Sequence, residues 1–108
     1  MTTPGHEDNQ GMSLYIVLYD YDPKLVGLKS EIRANHRAFM RRLNSLGTVL
    51  STGRTATLHE QGSLTIMLAR DAEEAKQILE GDPYAQAGIV KTMTVREWAP
   101  VVGTFADC

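Results

Sequence analysis

With 108 residues, the chain is long enough for one domain that hides roughly two-thirds of its unfolded surface, and too short for two. Hydrophobic residues at 43% and charged residues at 22% give the balance of an ordinary globular fold, which excludes a disordered or fibrous chain. The net charge is −2, and the eleven Lys and Arg are scattered except for Arg33, Arg37, Arg41 and Arg42, which argues against nucleic acid as a partner.

Residues 1–12 are polar and lack apolar periodicity, so they read as a disordered tail, without the cationic start and apolar middle of a secretory signal. No apolar run is long enough for a bilayer, and the single cysteine, Cys108, cannot form an intrachain disulfide; the expected setting is the cytoplasm, with no membrane partner. One domain is expected over residues 13–103, with 104–108 as a second tail. It opens with a strand in which Leu14, Ile16 and Leu18 alternate with Tyr15, Val17 and Tyr19, so both faces need covering. Asp22-Pro23 ends that strand, and Gly27 to Ser30 leads into a helix from Ser30 to Leu46, with Gly47 as its C-terminal cap. On this helix Ile32, Phe39, Met40, Leu43 and Leu46 recur at about 100° per residue, and His36 falls within the same arc. A histidine on such a stripe is more often a satisfied core residue than a reactive one. Arg37 and Arg41 lie beside the stripe and read as a solvated helix face.

Thr48 to Thr52 and Ser63 to Ala69 are strands that pair as a hairpin around a polar turn at His59 to Gly62. Asp71 then caps a short helix, with Glu74 three residues on and Ala75, Ile78 and Leu79 along one face. A last extended run, Ile89 to Val95, closes the domain before Pro100. The order β-α-β-β-α-β predicts an α+β, ferredoxin-like fold with two helices on one face of a four-stranded antiparallel sheet. The other face stays bare, with Tyr15, Val17, Tyr19, Met67 and Val90 as candidates for it, and predicts a homodimer of sheet against sheet.

Between the second helix and the last strand stands Gly81-Asp82-Pro83-Tyr84-Ala85-Gln86-Ala87-Gly88. Alone, Asp-Pro is a common turn or helix N-cap, and Tyr84 could simply plug the end of the sheet. Taken with Arg33-Ala34-Asn35-His36, with Gly62-Ser63 opening a strand, and with Gly47 and Gly53, it resembles the YciI-like, YCII-related family from about Ser13 to Trp98. The resemblance implies a dimeric α/β barrel and a His-Asp dyad in a cleft, carried over by motif to His36 and Asp82, with Ser63 near the cleft.

In such a dyad the carboxylate fixes the imidazole tautomer and leaves the second ring nitrogen for substrate. The expected function is acid/base chemistry without a cofactor on a small organic molecule, of lyase, isomerase or dehalogenating elimination type. Arg33 and Tyr84 are further candidate substrate contacts, Arg33 through an anionic group of the ligand, with a surface ion pair as the alternative for Arg33. A non-catalytic ligand-binding or dimerisation module is the alternative, and cofactor-free oxygenation a third. Ser63 lacks the Gly-x-Ser-x-Gly elbow of a nucleophile, so hydrogen bonding to substrate suits it better. No His or Cys pair has metal-ligand spacing, His59-Glu60 reading as a polar turn, and no glycine-rich phosphate cradle appears.

Overall fold

A computed structural model describes residues 11–58 and 60–106; the expected leading tail, His59 and the last two residues lie outside them or nearly so. Strand β1 spans Ser13–Tyr21, helix α1 Val26–Ser45, strands β2 and β3 Val49–Ala56 and Gln61–Ala69. Helix α2 spans Ala72–Leu79, the short helix α3 Pro83–Gln86, and strand β4 Val90–Glu97. The sheet order is β2-β3-β1-β4 with every neighbouring pair antiparallel, so the fold is α+β and ferredoxin-like.

Helix α1 begins four residues before the expected Ser30. Asp22 accepts the Lys24 N–H at 2.9 Å and caps a 3-10 turn, Pro23–Leu25, which runs straight into the helix. Leu25 at the junction contributes no side-chain cap, so nothing in Gly27 to Ser30 marks a start. The other end is as expected: Gly47 takes φ 81°, and its N–H returns to the Asn44 carbonyl at 3.0 Å. Leu46 is 70% exposed rather than part of the buried stripe. Strand β2 runs past the expected Thr52 to Ala56, carrying Arg54 opposite Ser63.

The face assignment is the main correction. Tyr15, Val17, Tyr19 and Met67 are almost wholly buried and look toward the helices, where Val90 also packs. The uncovered face carries the alternate residues, Ile16 paired with Ile66 and Leu18 with Leu64. The physical reason is visible at Tyr19, whose hydroxyl finds the Asp82 carboxylate and the Leu79 carbonyl on the helix side. Tyr19, Met67, Leu79, Tyr84 and Ile89 are each at most 2% exposed and form the centre of that core. Full burial of such side chains is worth about 1.5–3 kcal/mol apiece, so this cluster holds α2 and the α3 segment to the sheet.

Helix α2 starts as the sequence implies, with the Asp71 carboxylate accepting the Glu74 N–H at 2.8 Å. Glu74 in turn reaches back to the Arg70 N–H at 2.8 Å, one residue outside the usual reciprocal partner. Among the described residues no helix is long and apolar enough to cross a membrane.

Candidate active site

Asp82 sits where α2 has ended and α3 begins, with Pro83 at the first helical position. Its carboxylate is fully buried and accepts three donors from three parts of the chain. The Tyr84 N–H donates to Oδ1 at 3.0 Å, which is the N-cap of α3. The Tyr19 hydroxyl, rising from β1, donates to Oδ2 at 2.9 Å. His36 Nδ1, from α1, lies 2.8 Å from Oδ2 and 2.9 Å from Oδ1. A carboxylate already receiving two donors requires a third donor at this position, so the imidazole carries its proton on Nδ1 and leaves Nε2 as the unassigned nitrogen.

Stacking completes the placement of His36. Its ring lies parallel to that of Tyr84, with centroids 4.0 Å apart and planes 6° off. Tyr84 is in turn met edge-on by Tyr21 at 5.5 Å, and Tyr21 by Tyr19 at 6.0 Å. The imidazole is thus fixed by a two-oxygen contact on one edge and an aromatic plate on one face, while its side chain stays 13% exposed. Burial first, and then the Asp82 charge, push the Tyr19 phenol well above its ordinary range, which keeps it a hydrogen donor.

His36 and Tyr84 line a cleft of about 850 Å³ between α1 and the β2–β3 edge. That volume is ample for a small organic ligand. Ser63, Arg33, Arg37 and Arg41 open onto it too, so Arg37 and Arg41 border the cleft and are more than a solvated helix face. The expected site residues therefore converge, with Asp82 behind His36 rather than on the cleft surface.

Gly62 allows this convergence at Ser63. A Cβ there would collide with the Tyr19 carbonyl oxygen, so only glycine lets β3 lie this close to β1. The Ser63 hydroxyl acts on the Tyr21 phenol and partly offsets the effect of burial, which still pushes that phenol up to about 12. Even so, Ser63 Oγ is buried and has no hydrogen-bond partner of proper geometry among the described residues.

Sequence patterns passed over Tyr19, Tyr21, Lys29 and Arg54. The three polar-tipped tyrosines at 15, 19 and 21 were the available signal for a wet edge within the helix-side core. Arg54 stood beyond the expected end of its strand. Lys29 lies in the segment expected only to lead into the helix, yet it is 8% exposed, donates to Gln61 Oε1 at 3.0 Å, and stands 4.4 Å over the Tyr21 ring. Among the described residues no group of three His, Cys, Asp or Glu converges as a metal site.

The model of the YCII-related domain matches residues 13–99, most of the chain. The protein belongs to the YCII-related family. A search of curated proteins finds no significant match. Among solved structures, the chain is similar to 5-chloro-2-hydroxyhydroquinone dehydrochlorinase (TftG) from Burkholderia phenoliruptrix AC1100, in complex with 2,5-dihydroxybenzoquinone. That match has a TM-score of 0.69 at 23% identity, covering 79% of this chain and 92% of the other. It is also similar to an uncharacterized NIPSNAP-like domain protein from Burkholderia xenovorans, with a TM-score of 0.51 at 16% identity, covering 83% of this chain and 85% of that one. At these identities the likeness is one of fold.

Proposed function

We propose that this YCII-related protein is a small acid/base enzyme in which His36 moves a proton on a small organic substrate and Asp82 orients it. The observation that carries the reading is the 2.8 Å contact of His36 Nδ1 with a fully buried carboxylate, which leaves Nε2 as the ring nitrogen available to a ligand in the cleft. In an elimination, Nε2 would take a proton from carbon or a hydroxyl. The electron pair left behind forms the new double bond as the leaving group, a halide for instance, departs with its own pair. Isomerisation uses the same proton removal and returns the proton elsewhere. The dehydrochlorinase among the structural neighbours supports elimination as the first chemistry to test. A positioned imidazole contributes about 10²- to 10⁴-fold to such a step.

The proposal includes a homodimer formed through the uncovered sheet face and a cytoplasmic setting, the first supported by the half-buried Ile16, Leu18 and Leu64. A second reading, a binding module without catalysis, draws on the three-way tie at Asp82, which would be equally useful for holding α1, β1 and α3 together.

The test is His36→Gln set beside wild type on a panel of hydroxylated aromatics, lactones and halogenated aromatics. Turnover by wild type should fall about 10²- to 10⁴-fold in the variant, with stability within about 1 kcal/mol. No turnover of any panel compound, together with a loss of several kcal/mol in the variant, would overturn catalysis in favour of a structural dyad.

A further inference from the structure

The cleft is lined by five cations, Lys29, Arg33, Arg37, Arg41 and Arg54, and by no Asp or Glu. A chain with net charge −2 thus gathers five of its eleven Lys and Arg around one hollow, so the accumulation is local and not a property of the whole surface. Like charges brought together without counter-charge repel one another, and they are held at a cost that an anion would relieve.

The inner end of the hollow is the more telling part. Lys29 lies near the start of α1 and is nearly buried, yet among the described residues its ammonium meets only the neutral Gln61 amide oxygen and the face of Tyr21. Burial first, then the charges of Arg33 and Arg54, hold its ammonium below the ordinary lysine range. No carboxylate among the described residues lies within ion-pair distance of these three side chains. Ser63 supplies an independent sign. The residue is 4% exposed, lines the same cleft, pairs with Arg54 across the sheet, and leaves its hydroxyl without a well-formed partner among the described residues. A hydroxyl buried in that state has donor and acceptor capacity to offer a bound water or ligand.

We infer that Lys29, Arg33, Arg54 and Ser63 form an anion subsite, and that the ligand of the cleft is a small organic acid whose charged group docks there. Its ring or chain then lies toward the Tyr84–His36 stack, within reach of the unassigned imidazole nitrogen. The inference rests on the reading of the cleft as a substrate site and adds the substrate class. The charged end fixes orientation, and the reacting end is left to His36, a division of labour that places binding energy away from the bond being changed. Arg33 and Arg54 are exposed residues that border the cleft, so the charges are replaceable without disturbing the core.

The experiment is calorimetric titration of the full chain at low ionic strength with phthalate, benzoate, benzamide and inorganic phosphate. Phthalate should bind more tightly than benzoate, and benzamide, of the same shape without charge, should bind at least tenfold more weakly than benzoate. Lys29→Met and Arg54→Gln should each weaken benzoate about tenfold or more, the loss expected for a hydrogen bond to a charged group. Lys76→Gln, an exposed cation outside the cleft, should bind benzoate like wild type.

Equal affinity for benzamide and benzoate, or benzoate affinity unchanged in Arg54→Gln, would overturn the subsite. Binding of phosphate without benzoate or phthalate would overturn the organic-acid class. If Lys29→Met fails to fold, Arg54→Gln and Ser63→Ala decide, Ser63→Ala weakening benzoate severalfold if the inference is right. Charge-dependent binding without turnover of any panel compound leaves this inference standing and removes the acid/base reaction. Turnover of neutral compounds, indifferent to Arg54→Gln, does the reverse.

Discussion

Helices α1 and α2 cover the same sheet face by opposite means. Helix α2 is eight residues long, is capped by Asp71, and seats Ala75 and Leu79, both fully buried, directly on the strands. Helix α1 is twenty residues long, starts without a side-chain cap, and buries only Lys29, Met40 and Leu43. The small Ala75 lets one helix lie close, whereas the arginines and His36 on the other leave a cleft between it and the β2–β3 edge. The comparison teaches that the site occupies the half of the layer where packing was given up, while the half that keeps it supplies Asp82.

The largest expected effect should fall on the tightly packed half. Leu79→Ala should cost about 3–4 kcal/mol, since the cavity it leaves is sealed, and Met40→Ala about 2 kcal/mol, since water already reaches its cleft. Chemical denaturation of both variants checks this, and equal losses would erase the distinction between the two halves.

Alkaline titration sharpens the comparison at the tyrosines between them. Burial above all raises the Tyr21 phenol from its ordinary value near 10 to about 12. The unfolded chain ionises first, so this contribution is complete below pH 10 and is lost as pH rises through about 12. The loss should be of order 1–2 kcal/mol, reduced by cleft water, and Tyr21→Phe should flatten that part of the curve. A stability profile of the variant identical to that of wild type above pH 10 would contradict it.

The smallest effect concerns helix starts. Asp71→Ala should cost about 1 kcal/mol through the lost cap, whereas Leu25→Ala has no cap to lose and should show only its half-buried packing. Thermal melts that rank the two variants by burial alone would break this contrast.

Strand positions, the β2–β3 hairpin and the start of α2 were legible because alternation and the Asp71–Glu74 pair are local signals. Which face of β1 turns toward the helices was not, because Leu14, Ile16 and Leu18 are as apolar as the tyrosine row beside them. The choice is made by hydroxyls that need partners sixty residues away, as Tyr19 finds at Asp82. The start of α1 was illegible for the opposite reason, the 3-10 turn at Pro23 removing any boundary to read. Of the site, His36 and Asp82 could be named from their motif, but Lys29 and Arg54 could not, since neither a buried lysine nor a cleft-facing arginine has a pattern in a single chain.

Asp82 both begins α3 and steadies His36, so the length of the α2–β4 connection is tied to the aim of the imidazole. Adding or deleting a residue between Gly81 and Ile89 would rotate the ring's anchor, whereas lengthening the β2–β3 tip would leave it alone. Variation in this architecture is therefore steered to one end of the sheet, and relatives that differ in loop size should differ there.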